Sequence, residues 1–313
     1  MSFHSGFVSI IGRPNAGKST LLNALVGEKI AIVTEKPQTT RTRIQGMVNV
    51  KPQKGRAGGQ IVFIDTPGVH KPDSRLNRKM MQEIHAALES RDIILLIVDA
   101  TEKFGPGDQF VLELVKRAGG KVFLLLNKID RLEKEKLLPL IAHYSTLHDF
   151  QEIIPISAVR KQGLDVLLDK IIRALPEGSR YFPADQFTDQ PERFIAAEII
   201  REKVLLKTGK ELPYATAVVV EKYEELPRLT RISAAIYCER DGQKAILIGK
   251  GGQKLKDIGT AARLDIESLL GTKLYLELFV KVKPGWRQSQ VFVEELDWRN
   301  QLTALAERPE PEE

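Results

Sequence analysis

The sequence predicts an α/β protein in which a doubly wound, mostly parallel sheet is followed by a smaller α+β domain. Between residues 7 and 175, short apolar runs alternate with helical patterns. The runs lack polar alternation, as expected of parallel strands that are buried on both faces. From Phe194 the order changes to helix, strand, strand, helix, strand and helix. A length of 313 residues also suits two domains.

The predicted first domain comprises residues 1–175. We expect an enlarged hairpin loop at residues 51–60, which are Gly-rich and basic between two strand patterns. Residues 176–193 contain three prolines and no period, which indicates an interdomain linker. The apolar runs predict strands at 7–11, 61–65, 92–100, 121–127 and 153–156, and the helical patterns predict helices at 18–26, 76–90 and 108–118.

The predicted second domain comprises residues 194–296. Leucines alternate with polar residues in its last strand, which predicts a sheet with one covered face. Residues 297–313 are acidic and poor in apolar side chains, so we expect a flexible tail. Helices are predicted at 194–207, 252–270 and 286–296, and strands at 215–223, 231–240 and 274–282.

Composition excludes several classes of protein. The chain is 28% charged and 42% hydrophobic, which predicts a folded, soluble protein. Its longest apolar runs, such as residues 93–98, are far shorter than the ~20 residues of a membrane span. No secretory leader is visible, so we expect the protein in the cytosol. A single cysteine, Cys238, excludes an internal disulfide and a cysteine-based zinc site.

The strongest local motif is G-R-P-N-A-G-K-S at residues 12–19, which fits G-x-x-x-x-G-K-[ST]. A predicted strand leads into it and a helix leaves it, so backbone N–H groups would face a phosphate. Lys18 would reach the β- and γ-phosphates, and Ser19 would ligate Mg²⁺. The predicted phosphate-binding residues are Gly12, Arg13, Pro14, Asn15, Ala16, Gly17, Lys18, Ser19 and Thr20.

A second motif, D-T-P-G at residues 65–68, follows a buried strand. Open α/β sheets bind ligands at this end of their strands, so Asp65 is the predicted carboxylate on the Mg²⁺ side. Thr66 and Pro67 complete a turn in which the Gly68 N–H would sense a γ-phosphate. Between the two motifs, Q-T-T-R offers Thr40 as a metal ligand, with Thr39 as the alternative.

The base is predicted to be guanine because N-K-I-D follows the strand at 121–127. The Asp130 carboxylate can accept two hydrogen bonds from the guanine ring N–H and amino group, which adenine does not present together. Asn127 and Lys128 complete the motif, with the aliphatic part of Lys128 lying over the base. A backbone N–H of Ser157 or Ala158 would bind the guanine oxygen.

These motifs resemble the Era family of bacterial ribosome-assembly GTPases, and the resemblance runs from the phosphate loop to Trp286. It implies a P-loop GTPase in which Lys18, Thr40 and Gly68 act in hydrolysis. Val69 stands where Ras-like proteins have a water-orienting glutamine, so we expect slow intrinsic turnover. The resemblance also leaves two interpretations of Asn15, as a ligand for K⁺ or as a turn-forming residue.

In the second domain, the sequence A-I-L-I-G-K-G-G-Q-K-L-K resembles the G-x-x-G loop of a KH module, here of type II, which clamps single-stranded nucleic acid. Residues 242–287 carry nine bases against four acids within a chain of net charge +6, which favours a polyanionic partner. The predicted RNA-binding residues are Gly249, Lys250, Gly251, Gly252, Lys254, Lys256 and Arg287.

The motifs together predict a GTP-hydrolysing switch that binds single-stranded RNA. The family resemblance implies the target, which is the 3′ end of 16S ribosomal RNA and the maturing small (30S) subunit, and it implies peripheral membrane contact. We expect a monomer. Two alternative functions remain open from the sequence. One is a constitutive RNA-binding chaperone with structural GTP, and the other is a GTPase of tRNA modification or of membranes.

Overall fold

The computed structural model describes residues 2–36, 38–53, 55, 57–69, 74–209 and 212–300, with only the backbone given at 213 and 214. The described residues form two compact units. The first unit draws on residues 1–33, 40–70 and 80–189, and the second on residues 34–39, 71–79 and 190–313. Each unit has its own apolar core.

The first unit contains a six-stranded sheet in the order β2-β3-β1-β4-β5-β6. All neighbours are parallel except β2 and β3, which form an antiparallel pair at one edge. The strands are β1 (Phe3–Ile11), β2 (Ile44–Val50), β3 (Gly58–Asp65), β4 (Ile93–Asp99), β5 (Lys121–Asn127) and β6 (Glu152–Pro155). The helices are α1 (Lys18–Val26), α2 (Arg75–Glu89), α3 (Pro106–Ala118), α4 (Leu137–Ser145) and α5 (Leu164–Ala174).

Helices cover both faces of this sheet, as the unbroken apolar runs predict. One buried cluster joins the sheet to α1 and α5, and another joins it to α2, α3 and α4. The fold class predicted from the sequence, a doubly wound and mostly parallel sheet, is therefore confirmed. Two helices, α4 and α5, were not predicted. The α5 sequence buries Leu164, Leu167 and Ile171 at helical spacing, so its pattern was present in the sequence.

The predicted hairpin loop at 51–60 is shorter in the structure, because residues 58–60 belong to β3. Gly59 pairs with His4, and a Cβ at position 59 would lie 2.3 Å from the His4 carbonyl oxygen. The glycine allows close backbone packing within the sheet rather than a turn. Residues 54 and 56 of this loop lie outside the described residues.

The segment predicted as a linker, residues 176–193, is bound to the first unit over most of its length. The Met47 N–H donates to the Phe187 carbonyl at 3.0 Å, and the Thr188 hydroxyl donates to the Gln45 carbonyl at 2.8 Å. Buried Gln60 accepts the backbone N–H groups of residues 181 and 182 at 2.9 and 3.0 Å. Long-range contacts of this kind are not visible in a sequence without a period.

The second unit contains a three-stranded sheet in the order β7-β8-β9, in which β7 is antiparallel and β9 is parallel to β8. The inward leucines of β9 pack against helices, so the covered face predicted from their alternation is confirmed. The strands are β7 (Ala217–Leu226), β8 (Leu229–Cys238) and β9 (Lys273–Val282). The helices are α6 (Glu192–Lys207), α7 (Leu212–Ala215), α8 (Asp241–Ile248), α9 (Gln253–Leu270) and α10 (Gln290–Glu295).

Several details of the second unit differ from the sequence prediction, among them the short helix α7, which was not predicted. Helix α8 was missed because its four consecutive apolar residues at 245–248 read equally well as a strand. The boundary of the flexible tail was placed too early at 297, since Asp297 and Trp298 are buried. Lys79 forms an ion pair with Asp297 at 3.0 Å, which accounts for the burial of that carboxylate. Residues 301–313 of the predicted tail lie outside the described residues.

Candidate functional site

The phosphate loop joins β1 to α1 and requires glycine at a left-handed position. Gly17 has φ 102°, and a Cβ there would lie 2.2 Å from Asn127 Nδ2. Lys18 is buried, and its Nζ donates to the carbonyls of Gly12 at 3.1 Å and Arg13 at 2.9 Å. The ammonium is thus held inside the loop at the N-terminus of α1, where backbone N–H groups favour a phosphate.

Three oxygen-bearing side chains meet beside this loop. The Ser19 hydroxyl donates to Asp65 Oδ2 at 2.6 Å, and Thr40 Oγ1 lies 2.9 Å from the Ser19 hydroxyl. Thr40 Oγ1 also donates to Asp65 Oδ2 at 3.4 Å. The alternative ligand, Thr39, instead donates its hydroxyl to the Lys36 carbonyl at 2.6 Å. The structure therefore brings Thr40, and not Thr39, to Ser19 and Asp65.

This oxygen cluster fits a Mg²⁺ ion. Asp65 Oδ1 is buried and has no hydrogen-bond partner within the described part of the chain. Burial raises the pKa of Asp65 to about 6, although the nearby Lys18 ammonium opposes the shift. Burial also lowers the pKa of Lys18 to about 8. A divalent cation bound by hard oxygen ligands would compensate the buried carboxylate charge in place of a proton.

The turn after β3 lies against the phosphate loop. The Thr66 hydroxyl donates to the Ile10 carbonyl at 2.8 Å, and Pro67 is buried. A Cβ on Gly68 would lie 3.0 Å from Pro14 Cγ, so only glycine fits this approach without displacement. Val69 packs against the apolar cluster that contains α2 and α3. Its side chain has no group that can orient a water molecule.

The N-K-I-D residues are held by the loop that follows β6. The Asn127 amide donates to the Ala16 carbonyl at 2.8 Å and accepts the Ala158 N–H at 3.0 Å. The Ser157 hydroxyl donates to Asp130 Oδ1 at 2.6 Å, which orients the predicted guanine-reading carboxylate. The Ser157 N–H is bonded to the Gln162 carbonyl at 3.1 Å. A guanine oxygen would therefore compete with Asn127 for the Ala158 N–H, a competition that the sequence prediction did not include.

Two acidic residues at this site were missed from the sequence. Asp99 ends β4 and forms an ion pair with Lys128, which has φ 68°. Asp108, near the start of α3, forms an ion pair with Arg13 of the phosphate loop at 2.7 Å. Asp99 was open to prediction, because the carboxyl ends of parallel strands meet at one edge of a sheet. The role of Asp108 could not be predicted, since its position near the start of a helix does not indicate its partner.

In the second unit, the G-K-G-G loop joins α8 to α9, and three of its residues have left-handed φ angles. These angles are 72° at Gly249, 59° at Gly251 and 78° at Gly252. A Cβ on Gly249 would lie 2.7 Å from Lys254 Cβ, whereas Gly251 and Gly252 face open space. Such a loop presents backbone that a ligand can approach closely.

The basic residues around this loop differ in their partners. Lys250 and Lys256 are exposed and Lys254 is half-buried, and across residues 212–300 none of the three has an acidic group within 4.0 Å. Arg287, also predicted to bind RNA, instead donates to both oxygens of Glu239 at 2.7 and 3.2 Å. Its neighbouring residue, Trp286, is fully buried and belongs to the core.

Comparison with known proteins finds a GTPase domain and a KH domain in this chain. A family model described as a 50S ribosome-binding GTPase matches residues 7–128, and a KH domain model matches residues 211–287. GTPase Era of Syntrophus aciditrophicus is 50% identical over 95% of this chain and 95% of its own length. The chain belongs to the Era family of GTPases. GTPase Era of Geobacter metallireducens is 51% identical over 95% of this chain and 98% of its own.

Solved Era structures extend the likeness to the whole fold. A point variant of Aquifex aeolicus Era bound to GDP·AlF₄⁻ matches with a TM-score of 0.89 and 40% identity, covering 94% of this chain and 99% of its own. Era in complex with MgGDPNP and nucleotides 1506–1542 of 16S ribosomal RNA matches with a TM-score of 0.90 and 39% identity, covering 95% and 99%. As an Era GTPase, this protein hydrolyses GTP, and its P-loop GTPase domain is followed by a KH domain.

In the described ranges, none of the helices combines the length and the apolar character that a bilayer span requires.

Proposed function

We propose that this Era-family protein is a GTP-controlled switch that binds single-stranded RNA through its KH domain and acts in assembly of the small ribosomal subunit. The observation that carries the proposal is the G-K-G-G loop, with its left-handed glycines and three lysines that have no acidic partner among the described residues 212–300. Such lysines remain available to the phosphates of an RNA strand, and the glycine backbone of the loop can approach the same phosphates closely. The solved Era complex with 16S ribosomal RNA nucleotides supports the 3′ end of that RNA as the ligand.

In the nucleotide site, we propose that Ser19, Thr40 and Asp65 hold Mg²⁺, as their hard oxygens and the buried carboxylate favour. The ion would neutralise charge that develops on the phosphates during hydrolysis. Lys18 would place a second positive charge on the β- and γ-phosphates. The solved Era structure with MgGDPNP supports this assignment. The Gly68 backbone N–H would donate to the γ-phosphate. The residue is glycine because its position leaves room for no larger side chain beside Pro14.

The guanine base would be read by Asp130, with Ser157 fixing its orientation and Asn127 tying the base loop to the phosphate loop. Val69 leaves the attacking water without a side-chain partner at that position, so slow intrinsic turnover is expected. Asn15 has φ 64°, a conformation that asparagine tolerates, and this backbone role accounts for the residue without a cation. A K⁺ ligand role for Asn15 therefore needs its own test.

The test is single-turnover GTP hydrolysis in K⁺ and in Na⁺, with and without a short RNA that copies the 3′ end of 16S ribosomal RNA. We expect RNA to raise the rate, and K⁺ to raise it if Asn15 binds that ion. Gly251→Asp adds a negative charge in open space on the loop and should abolish the RNA effect. Gly209→Asp adds the same charge at another open glycine and should not.

The result also separates the switch from a constitutive RNA-binding chaperone. A hydrolysis rate indifferent to RNA, together with equal RNA affinity in the GDP and GTP states, would contradict the switch. If GTP tightens RNA binding, RNA must tighten GTP binding by the same factor, which gives an independent check. We further propose that the protein is a cytoplasmic monomer with peripheral membrane contact. Sedimentation and flotation with vesicles of bacterial phospholipid test these two points.

A further inference from the structure

Strand β4 ends in Asp99, whose carboxylate uses its two oxygens for two different partners. Oδ1 accepts the Thr101 N–H at 3.0 Å and the Thr101 hydroxyl at 2.7 Å. An aspartate that bonds the backbone two residues further on closes a local turn, which fixes the orientation of its side chain. The second oxygen, Oδ2, accepts a hydrogen bond from the Lys128 ammonium. The turn therefore orients the carboxylate that the lysine binds.

Lys128 is fixed at both ends of its side chain. Its backbone has φ 68°, a left-handed conformation that few non-glycine residues adopt. Both neighbouring residues are hydrogen-bonded to segments that follow other strands. The Ala100 N–H donates to the Asn127 carbonyl at 2.9 Å, and the Ile129 N–H donates to the Ile156 carbonyl at 3.3 Å. Because the ammonium is bound as well, the methylene groups between Cα and Nζ join two fixed points.

The ion pair between Asp99 and Lys128 is partly shielded from solvent. The two side chains are 16% and 23% exposed, respectively, so salt screens them less than a surface pair. Burial opposes the ionisation of Asp99, but hydrogen bonds from Lys128 and Thr101 hold its pKa below the ordinary value. The ammonium is therefore bound by the protein itself, which leaves the methylene stem as the part of Lys128 that a ligand can contact.

We propose that Asp99 is a positioning residue for the guanine nucleotide, which holds the Lys128 stem in the place where it covers the base. The inference rests on the proposed base site, in which Asp130 reads guanine and Lys128 lies over it. A free lysine loses rotamer freedom when a ligand orders it, whereas a stem that is already held does not. Asp99 stands outside the nucleotide motifs of the sequence, so it adds a residue to the site that they do not contain.

The test is a double-mutant cycle on GDP affinity, measured by calorimetry with the full chain. Asp99→Asn keeps the shape of the side chain and removes the charge that holds the Lys128 ammonium. We expect it to weaken GDP binding by about tenfold, comparable to freeing one lysine side chain. Binding of a non-hydrolysable GTP analogue should weaken by the same factor, because the base is common to both nucleotides.

A Lys128→Met background separates positioning from a structural role. Methionine keeps an apolar stem and has no ammonium for residue 99 to hold. In this background, Asp99→Asn should change GDP affinity by less than about twofold. An equal loss in both backgrounds would overturn the inference, because Asp99 would then act on the site without Lys128.

Glu152→Gln is the matched control. Glu152 forms an ion pair with Lys170 at 2.8 Å in the same unit and begins β6, at the opposite end of that strand from the site. Its loss removes the same kind of pair and should leave GDP affinity unchanged. Thr101→Val removes one of the hydrogen bonds that orient Asp99, so it should weaken GDP binding less than Asp99→Asn does. If Asp99→Asn does not fold, as judged by circular dichroism, Thr101→Val decides the outcome in the same cycle.

Failure of the positioning role and failure of the base site give different results. Xanthine carries a carbonyl where guanine carries its amino group, so Asp130→Asn should shift the preference from GDP towards xanthosine diphosphate. If it does so while Asp99→Asn leaves GDP affinity within about twofold, Asp99 has no positioning role. If Asp130→Asn changes neither GDP affinity nor this preference, the proposed base site is wrong and the role of Asp99 fails with it.

Discussion

Replacing Lys250, Lys254 and Lys256 together with glutamine should weaken RNA binding and flatten its dependence on salt. These lysines differ from Arg287, which forms an ion pair with Glu239. Each lysine that neutralises a phosphate of single-stranded RNA releases a counterion on binding. The number of such lysines therefore appears in the slope of log affinity against log salt, as well as in the affinity itself.

The magnitude follows from the three lysine charges that the variant removes. Each phosphate contact on a single strand contributes about 0.7 to the slope, so the triple variant should lose about 2. Between about 50 and about 200 mM salt, the ratio of wild-type to variant affinity should then shrink by about twentyfold. Arg287→Gln should change the slope much less, since its guanidinium has a carboxylate partner in the free protein.

Fluorescence anisotropy with a labelled 3′-end RNA measures this slope across a series of salt concentrations. The control replaces three exposed lysines of the first unit, Lys103, Lys134 and Lys136, with glutamine. Both triple variants lower the net charge from +6 to +3. If the two flatten the slope equally, net charge and not the loop determines binding. An unchanged slope in the loop variant would refute the assignment of these lysines to phosphates.

Three more outcomes can be measured. Calorimetry should show that Mg²⁺ affinity falls about tenfold for each pH unit below the Asp65 pKa of about 6. The reason is that the metal must displace a proton from the carboxyl group there. The Asp65→Asn variant should bind Mg²⁺ weakly at every pH. Gly249→Ala should destabilise the fold in urea by about 1–3 kcal/mol, since φ 72° and ψ 177° suit only glycine. Gly242→Ala, at an open position in α8, should be neutral or stabilising, and the reverse order would contradict the reasoning. Trp286→Ala should cost about 3–5 kcal/mol in the same assay, because the indole is fully buried; an unchanged urea midpoint would place it outside the core.

The nucleotide site was largely predictable because its residues lie at the carboxyl ends of parallel strands. Those ends meet at one edge of the sheet, so sequence order alone places Asp65 and Asn127 near the phosphate loop. The glycines of the G-K-G-G loop were predictable for a related reason, since a left-handed backbone requires that residue. In both cases, short stretches of sequence are enough to make the prediction.

Other features depend on contacts between distant parts of the chain and carry no local signal. The Arg201 guanidinium donates to the carbonyl of Thr39, which lies 162 positions away in the sequence. In the sequence, Arg201 looks like any other basic residue of a helix. Gln60 stood in a Gly-rich stretch that reads as a loop, although its amide binds residues 181 and 182. Arg287 was predicted to bind RNA with no account of Glu239, its ion-pair partner, which lies 48 positions away. A pairing of charges across the fold cannot be read from a run of bases.

The attachment of residues 187 and 188 to β2 has a consequence for how the protein avoids aggregation. Strand β2 is the outermost strand of its sheet, and an exposed strand edge offers unpaired N–H and C=O groups to another chain. Thr188 forms an antiparallel bridge with Gly46, and the Phe187 carbonyl accepts the Met47 N–H. A fragment that stops at 175 would lose this cover and should self-associate in light scattering. One that extends to 189 carries its own protecting segment.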